Sequence, residues 1–229
     1  MAILKNNILG IVRGRTGDYI YRLRNGKVVK YRRPINQRVS RSEASETART
    51  NFTKVVKLAT CINSLPQLKK IWKSASVPGA THYQKMIRHN SKYAMQVGIS
   101  VRNIISPPGI PLVIEELSLS SSALSLIVVA KSFKLKKFVS NTAFIHIIFY
   151  LYSPRIKNVS AYNIFGLSKE FDLRQGRDKH DIKVATSEIA ESINSYGKVI
   201  IFVAASMFNE GNEKAYWTST YAEDIDIRF

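Results

Sequence analysis

Asn25-Gly26 sits between two runs of strand-forming residues, Asp18-Tyr-Ile-Tyr-Arg-Leu-Arg and Lys27-Val-Val-Lys-Tyr-Arg-Arg. No other short signal in the chain ties it so closely to one local fold. A two-residue type I′ turn needs positive φ at both central positions, and Asn and Gly accept that at least cost. The turn also fixes the register. Arg24 must face Lys27, Leu23 must face Val28, Tyr21 must face Lys30 and Ile20 must face Tyr31. Side chains alternate across a strand. One face of the hairpin therefore carries Tyr19, Tyr21, Leu23, Val28, Lys30 and Arg32, and the other carries Ile20, Arg22, Arg24, Lys27, Val29 and Tyr31. Both faces mix basic and aromatic groups. Arg24 opposite Lys27 is a like-charge pair that favours an anion or water between the two.

The hairpin lies where the charge of the chain is concentrated. The 229 residues hold 35 Lys and Arg against 16 Asp and Glu, a net of +19. Residues 1–110 carry 21 basic residues against Asp18, Glu43 and Glu46, a net of +18, whereas residues 111–229 carry 14 against 13, a net of +1. An excess confined to one half points to an anionic partner for that half: nucleic acid, or an acidic protein or lipid surface. Basic side chains interleaved with tyrosines can hold phosphates and stack on bases. The candidate nucleic-acid contacts are Arg13, Arg15, Arg22, Arg24, Lys27, Lys30, Arg32 and Arg33, with Tyr19, Tyr21 and Tyr31 stacking or packing beside them. The alternative is a hairpin docked through its apolar side chains, with the cations only solvated. Gly10, Gly14 and Gly17 space three glycines closely around Arg13 and Arg15, which suits either tight turns or a backbone cradle for phosphate. The segment is not a P-loop, because no Gly-Lys-Ser/Thr follows.

After Pro34 the apolar period changes to that of helices. Ser42-Glu43 opens a first helix with Ala48, Phe52, Val55, Ala59 and Ile62 on one stripe. Pro66 opens a second with Leu68, Ile71 and Trp72. Thr81 caps a third with Tyr83, Met86, Ile87 and Tyr93 as its core side. Ser106-Pro-Pro-Gly-Ile-Pro111 cannot continue a helix or enter a sheet, and reads as a stiff linker. Beyond it, strand-like runs at 113–119, 123–130, 143–152, 160–164, 182–186, 198–206 and 215–221 suit an Ig-like or fibronectin-III-like β-sandwich. The expected fold class is α+β. The expected division is a basic hairpin-plus-helices module at 1–106, a Pro-rich linker at 107–111 and a β-sandwich at 112–229. The acidic tail with Glu223, Asp224 and Asp226 is expected to be solvated or folded back on the basic half.

Little points to catalysis. Cys61 is the only cysteine, so neither an intramolecular disulfide nor a cysteine zinc cluster is available, and it reads as a small core hydrophobe. His82 and His89 lie two helical turns apart without a nearby carboxylate to complete a metal site. His146 lies in an apolar strand and reads as a hydrogen-bonded core residue, and His180 lies in a polar stretch. No nucleophile-elbow motif occurs. Residues 1–7 do not read as a signal peptide, so none is expected here, and the apolar run 143–152 is half of the roughly 20 residues a spanning helix needs. These readings give a non-enzymatic, cytoplasmic protein with no cofactor and no metal. Its partner is DNA, RNA or another polyanionic surface. Two other roles are a structural assembly protein that docks on an acidic neighbour and, ranked last, a peripheral binder of anionic membranes.

In the order of its elements the chain resembles a domain family of unknown function widespread in Bacteroidota. The shared features are Ile8-Leu9-Gly10, Gly14-Arg-Thr-Gly17, a hairpin over residues 19–32 followed by Pro34, Arg49-Thr-Asn-Phe52 with Val55-Val-Lys-Leu-Ala59, and Tyr150-Leu-Tyr-Ser-Pro154. The resemblance implies the architecture and carries no activity or site residues. The strong basicity of Arg13 and of residues 22–33 departs from the family pattern and suggests a member specialised for an anionic partner.

Overall fold

The computed structural model describes residues 2–4, 13–33, 40–120, 123–129, 142–173, 179–186, 189–208 and 215–227. Two compact units divide the chain, Met1–Glu43 and Ala44–Phe229.

The first unit is a four-stranded antiparallel sheet of β1 (Ala2–Leu4), β2 (Gly14–Thr16), β3 (Tyr19–Arg24) and β4 (Lys27–Arg32), in the order β1-β4-β3-β2. The β3–β4 hairpin has the register that Asn25-Gly26 dictates, from Arg24 opposite Lys27 to Tyr19 opposite Arg32. Both turn residues hold positive φ, 50° at Asn25 and 75° at Gly26. The flanking strands β1 and β2 are additions that the sequence reading did not include. Gly14 and Gly17 also have positive φ, so the glycine spacing serves backbone turns around β2. Gly10 lies outside the described residues.

The second unit contains α1 (Glu43–Ser64), α2 (Pro66–Ser74), α3 (His82–Val97), β5 (Ile114–Leu119), β6 (Ala123–Val129), β7 (Thr142–Pro154), β8 (Tyr162–Asp172), β9 (Lys179–Ala185), α4 (Ala190–Asn194), β10 (Tyr196–Phe208), β11 (Ala215–Trp217) and β12 (Tyr221–Asp226). One sheet has the order β11-β10-β7-β8, with β12 also on β10, and a second has β5-β6-β9. The long central strands are buried on both faces, as continuous apolar runs require. Ile145, Ile147, Phe149 and Leu151 of β7 join Val199, Ile201 and Val203 of β10 and the second sheet's Leu124, Leu126, Val128, Ile182 and Val184 in one core. The alternate residues Ile148, Tyr150, Ile200, Phe202 and Ala204 face the helices, where they meet Val55, Leu58, Ala59 and Ile62 of α1, Leu68, Ile71 and Trp72 of α2, and Met86 of α3. The unit thus has three layers: helices, large sheet and small sheet.

This layering corrects the expected domain division at 1–106, 107–111 and 112–229. The helices' apolar stripes need a partner surface, and that surface is the outward face of β7 and β10, so helices and sheets share a core. The Pro-rich stretch is no free linker either. Ser106 is buried, and it and Ile105 donate their backbone N–H groups to Thr220 Oγ1 at 3.0 and 2.9 Å. Ser106 Oγ donates to Thr218 O at 2.7 Å, and Ile110 N donates to Trp217 O at 3.1 Å. The acidic residues Asp224 and Asp226 are solvent-exposed, as one of the two expected readings has it, but the segment that carries them is a paired strand. Glu223, Asp224 and Asp226 lie on β12, paired with β10, where Tyr152 Oη donates to Asp224 and Lys198 pairs with Asp226 at 3.2 Å. Two helix positions also differ from expectation: Phe52 is 48% and Tyr93 43% exposed, while Asn51 and Asn90 occupy buried positions.

Helix α1 approaches β8 closely at Gly166. A Cβ there would lie 3.0 Å from Cys61 Sγ, 3.1 Å from Ile148 Cγ1 and 3.2 Å from Leu65 Cδ1. Gly166→Ala is therefore expected to lower the unfolding free energy by about 1–2 kcal/mol through overpacking, read as a shift of the urea midpoint. Beside it, burial pushes the Cys61 thiol up to about 12. Iodoacetamide at pH 8 is expected to alkylate the native protein on the order of a hundredfold more slowly than the urea-unfolded chain, because the thiolate is the nucleophile. Equal rates would contradict the packing of α1 on β8.

Candidate nucleic-acid interface

Every sequence-predicted contact residue lies among the described residues of the first unit, and none is fully buried. Arg13, Arg15, Tyr19, Arg22, Arg24, Lys27, Arg32 and Arg33 are exposed, and Tyr21, Lys30 and Tyr31 are half-buried. Among the described side chains of β2, β3 and β4 the buried apolar ones are Val28 and Val29, one on each face.

The alternation of strand side chains sorts the cations. On one face Lys30 Nζ lies 3.9 Å from the centre of the Tyr19 ring and 5.9 Å from that of Tyr21. These rings are cross-strand neighbours of Lys30, since Tyr21 faces it directly and Tyr19 lies on the diagonal. On the other face Arg22 Cζ lies 5.7 Å from the Tyr31 ring. Such contacts hold a cation beside an aromatic plane without neutralising it. Carboxylates are scarce. Asp18 reaches Arg32 at 3.9 Å, with both side chains more than 60% exposed, which makes a weak surface pair. Arg15 Nε donates to Gly17 O at 3.1 Å, which fixes the guanidinium near the β2–β3 turn.

Arg13, Arg15, Arg22 and Arg33 line one groove of about 660 Å³ together with Gly14, Ile20, Tyr21 and Leu23. The strand register brings Arg13 and Arg15, distant in sequence from Arg22 and Arg33, to this common surface. Arg24 and Lys27 stand outside it, at the hairpin tip. The meeting of four arginines at one groove was not readable from the hairpin alone, because it depends on β2 pairing with β3 through Gly14 opposite Tyr21 and Thr16 opposite Tyr19. The close glycine spacing was the available signal for that extra strand.

The histidines are elsewhere and have other roles. His146 is fully buried on β7, its ring between Ser168 Oγ at 2.7 Å and Ser206 Oγ at 2.8 Å. His82 Nε2 meets Asn63 Oδ1 at 2.9 Å. His180, expected in a polar loop, is buried on β9 with its ring edge-on to Phe171 at 6.0 Å. No group of three or more metal-ligating side chains occurs among the described residues, and no helix among them is long and apolar enough to cross a membrane. No family model, curated protein or solved structure matches the chain.

Proposed function

We propose that the chain is a non-enzymatic, cytoplasmic nucleic-acid-binding accessory protein that holds the phosphate backbone on its N-terminal sheet. The observation that carries this reading is the exposed, basic and tyrosine-bearing sheet with its groove of four arginines, in a segment, residues 1–42, whose one acidic residue is Asp18. Guanidiniums match phosphate oxygens bidentately, and a concave arrangement lets several act on neighbouring phosphates. Binding is then mainly backbone-directed and strongly salt-dependent.

Fluorescence polarisation with a labelled mixed-sequence oligonucleotide tests this on the full-length protein. With about four phosphate contacts, affinity is expected to fall roughly a hundredfold between 50 and 200 mM salt. Arg22→Ala together with Arg33→Ala, which removes two of the four groove arginines, is expected to weaken low-salt binding about tenfold and to make the salt slope shallower by about 2. Affinity that ignores salt, or is unchanged in the double variant, overturns the assignment.

A second reading, docking on an acidic protein in an assembly, is favoured by the outer strands. Among the described residues β1 and β2 each pair on one side only, and an exposed edge can accept a strand from a neighbour. Size-exclusion chromatography separates the two readings: an assembly component self-associates or binds an acidic protein without nucleic acid.

For the second unit we propose kinship with fibronectin-III-like sandwiches. Its first, second and fifth strands form one sheet and the others form the facing one, which supports this reading. The helices on the outer face are an elaboration of that plan. A sandwich of this kind serves as a scaffold or a protein-facing surface, and fold alone does not assign it a ligand. The resemblance to the Bacteroidota domain family rests on the quoted motifs and leaves the function to be argued from the sheet.

A further inference from the structure

We propose that the N-terminal sheet selects single-stranded over duplex nucleic acid, an inference that rests on the nucleic-acid reading above and specifies its ligand. Two observations carry it. The first is the composition of the groove. Arg13, Arg15, Arg22 and Arg33 share it with Tyr21 and Leu23, and Leu23 is 37% exposed. The Tyr19 ring, 41% exposed, stands on the same sheet face as Tyr21, with the Lys30 ammonium 3.9 Å from its centre. A duplex seen from its backbone offers phosphates and sugars while its base faces are stacked away, so exposed rings and a leucine gain little there. A single strand offers unstacked bases as well as phosphates, and cations set beside aromatic and apolar surface match both parts of one nucleotide.

The second observation is the width of the sheet. A β-ribbon that reads duplex DNA enters the major groove as two strands, and that groove is about 12 Å wide. Here β1 flanks β4 over Val28–Lys30 and β2 flanks β3 over Tyr19–Tyr21, so four strands lie side by side at the level of Tyr21 and Lys30. At that level they span three spacings, roughly 14 Å between the outer strand axes before side chains are added. There the sheet is too broad for the groove, and Tyr21 and its neighbours are left to a flexible strand, with about 20 Å of β3 as its track.

The test uses the full-length protein with a labelled 20-nucleotide oligo-dT and a 20-base-pair duplex at equal salt. The single strand is expected to bind at least about tenfold more tightly, the effect of one stacked base. Tyr19→Ala is expected to weaken oligo-dT binding about fivefold to tenfold more than it weakens duplex binding. Tyr19→Phe, which keeps the ring, is expected to bind as the parent does, and this separates stacking from any loss of folding. Duplex binding as tight as oligo-dT binding, or a Tyr19→Ala loss equal for both, overturns single-strand selection while leaving a salt-dependent phosphate binder in place. Binding to neither overturns the nucleic-acid reading with it.

Discussion

Urea unfolding of this protein is expected to become easier as pH falls from 7 to 4.5, because of His146. The ring is fully buried in the middle of β7 between two hydroxyls. A neutral imidazole suits that slot: one nitrogen donates to a serine oxygen and the other accepts from a serine hydroxyl. An imidazolium would place an unpaired charge where water cannot reach it, and burial lowers the His146 pKa from 6.5 to about 3. The sign of the effect follows directly. Between pH 6.5 and 3 the unfolded chain binds this proton and the folded chain does not, so stability falls as pH falls. The loss is about 3 kcal/mol by pH 4.5 and approaches roughly 5 kcal/mol at pH 3. The test is the urea midpoint at pH 7, 6, 5 and 4.5 for the parent and for His146→Gln, which cannot titrate. The parent is expected to lose about 3 kcal/mol over this range, and the variant's profile is expected to be much flatter. His82 and His89 are also lowered, His82 by desolvation and the charges of Lys73, Lys69 and Lys85, His89 by desolvation and those of Lys92 and Arg88. Both remain in the variant, so the difference between the two profiles belongs to position 146. Parallel profiles would refute the assignment.

Replacing Asn90 by Ala is expected to cost about 3–5 kcal/mol, since several buried polar groups lose their partner together. Asn90 sits on α3 with no exposed surface and uses its whole amide. Its Nδ2 donates to Met86 O at 3.1 Å and to Ile104 O at 2.9 Å. Its Oδ1 accepts from Ile104 N at 2.8 Å and from Asn103 Nδ2 at 3.0 Å. Asn103, also buried, in turn accepts Ser100 N at 2.9 Å. The pair fastens the chain leaving α3 to the helix. The same segment presents Ile105 O to Trp72 Nε1 at 2.8 Å, tying it to the centre of the α2 core. Alanine would leave the Ile104 N–H and C=O without these bonds and would reduce Asn103 Nδ2 to its one remaining bond, to Asn90 O at 3.1 Å. Asn90→Asp is a close steric match that replaces the donor by an acceptor facing two carbonyls, so it should be no better tolerated. Denaturant titration of both variants is the measurement, and a change below about 1 kcal/mol in each would show that the network is dispensable.

Asn90 also shows where sequence reasoning stops. The helical spacing pointed to Tyr83, Met86, Ile87 and Tyr93, yet the buried positions at four-residue intervals are Met86, Asn90 and Ala94. A polar residue in an amphipathic helix reads as surface unless its partners are known, and here they come from a turn thirteen and fourteen residues further on. The candidate interface was legible residue by residue, because its cations and tyrosines follow a strand register set by one turn. Its groove was not, because the groove needs a third strand whose three residues carry too little pattern to announce themselves.

What the sequence by itself determined is what local chemistry governs. Asn25-Gly26 set the hairpin register through backbone dihedrals. Thr81 set the start of α3 by accepting Gln84 N at 3.2 Å, and Pro66 set the first turn of α2. The tertiary structure alone decided which apolar surfaces meet. An amphipathic helix shows that it will bury a stripe and a doubly apolar strand shows that it will be covered twice, but hydrophobic burial has no direction and names no partner. That is why the helices are joined to the sheets, why the prolines at 107, 108 and 111 belong to a fastened edge, and why the division of the chain lies at Glu43, where α1 begins.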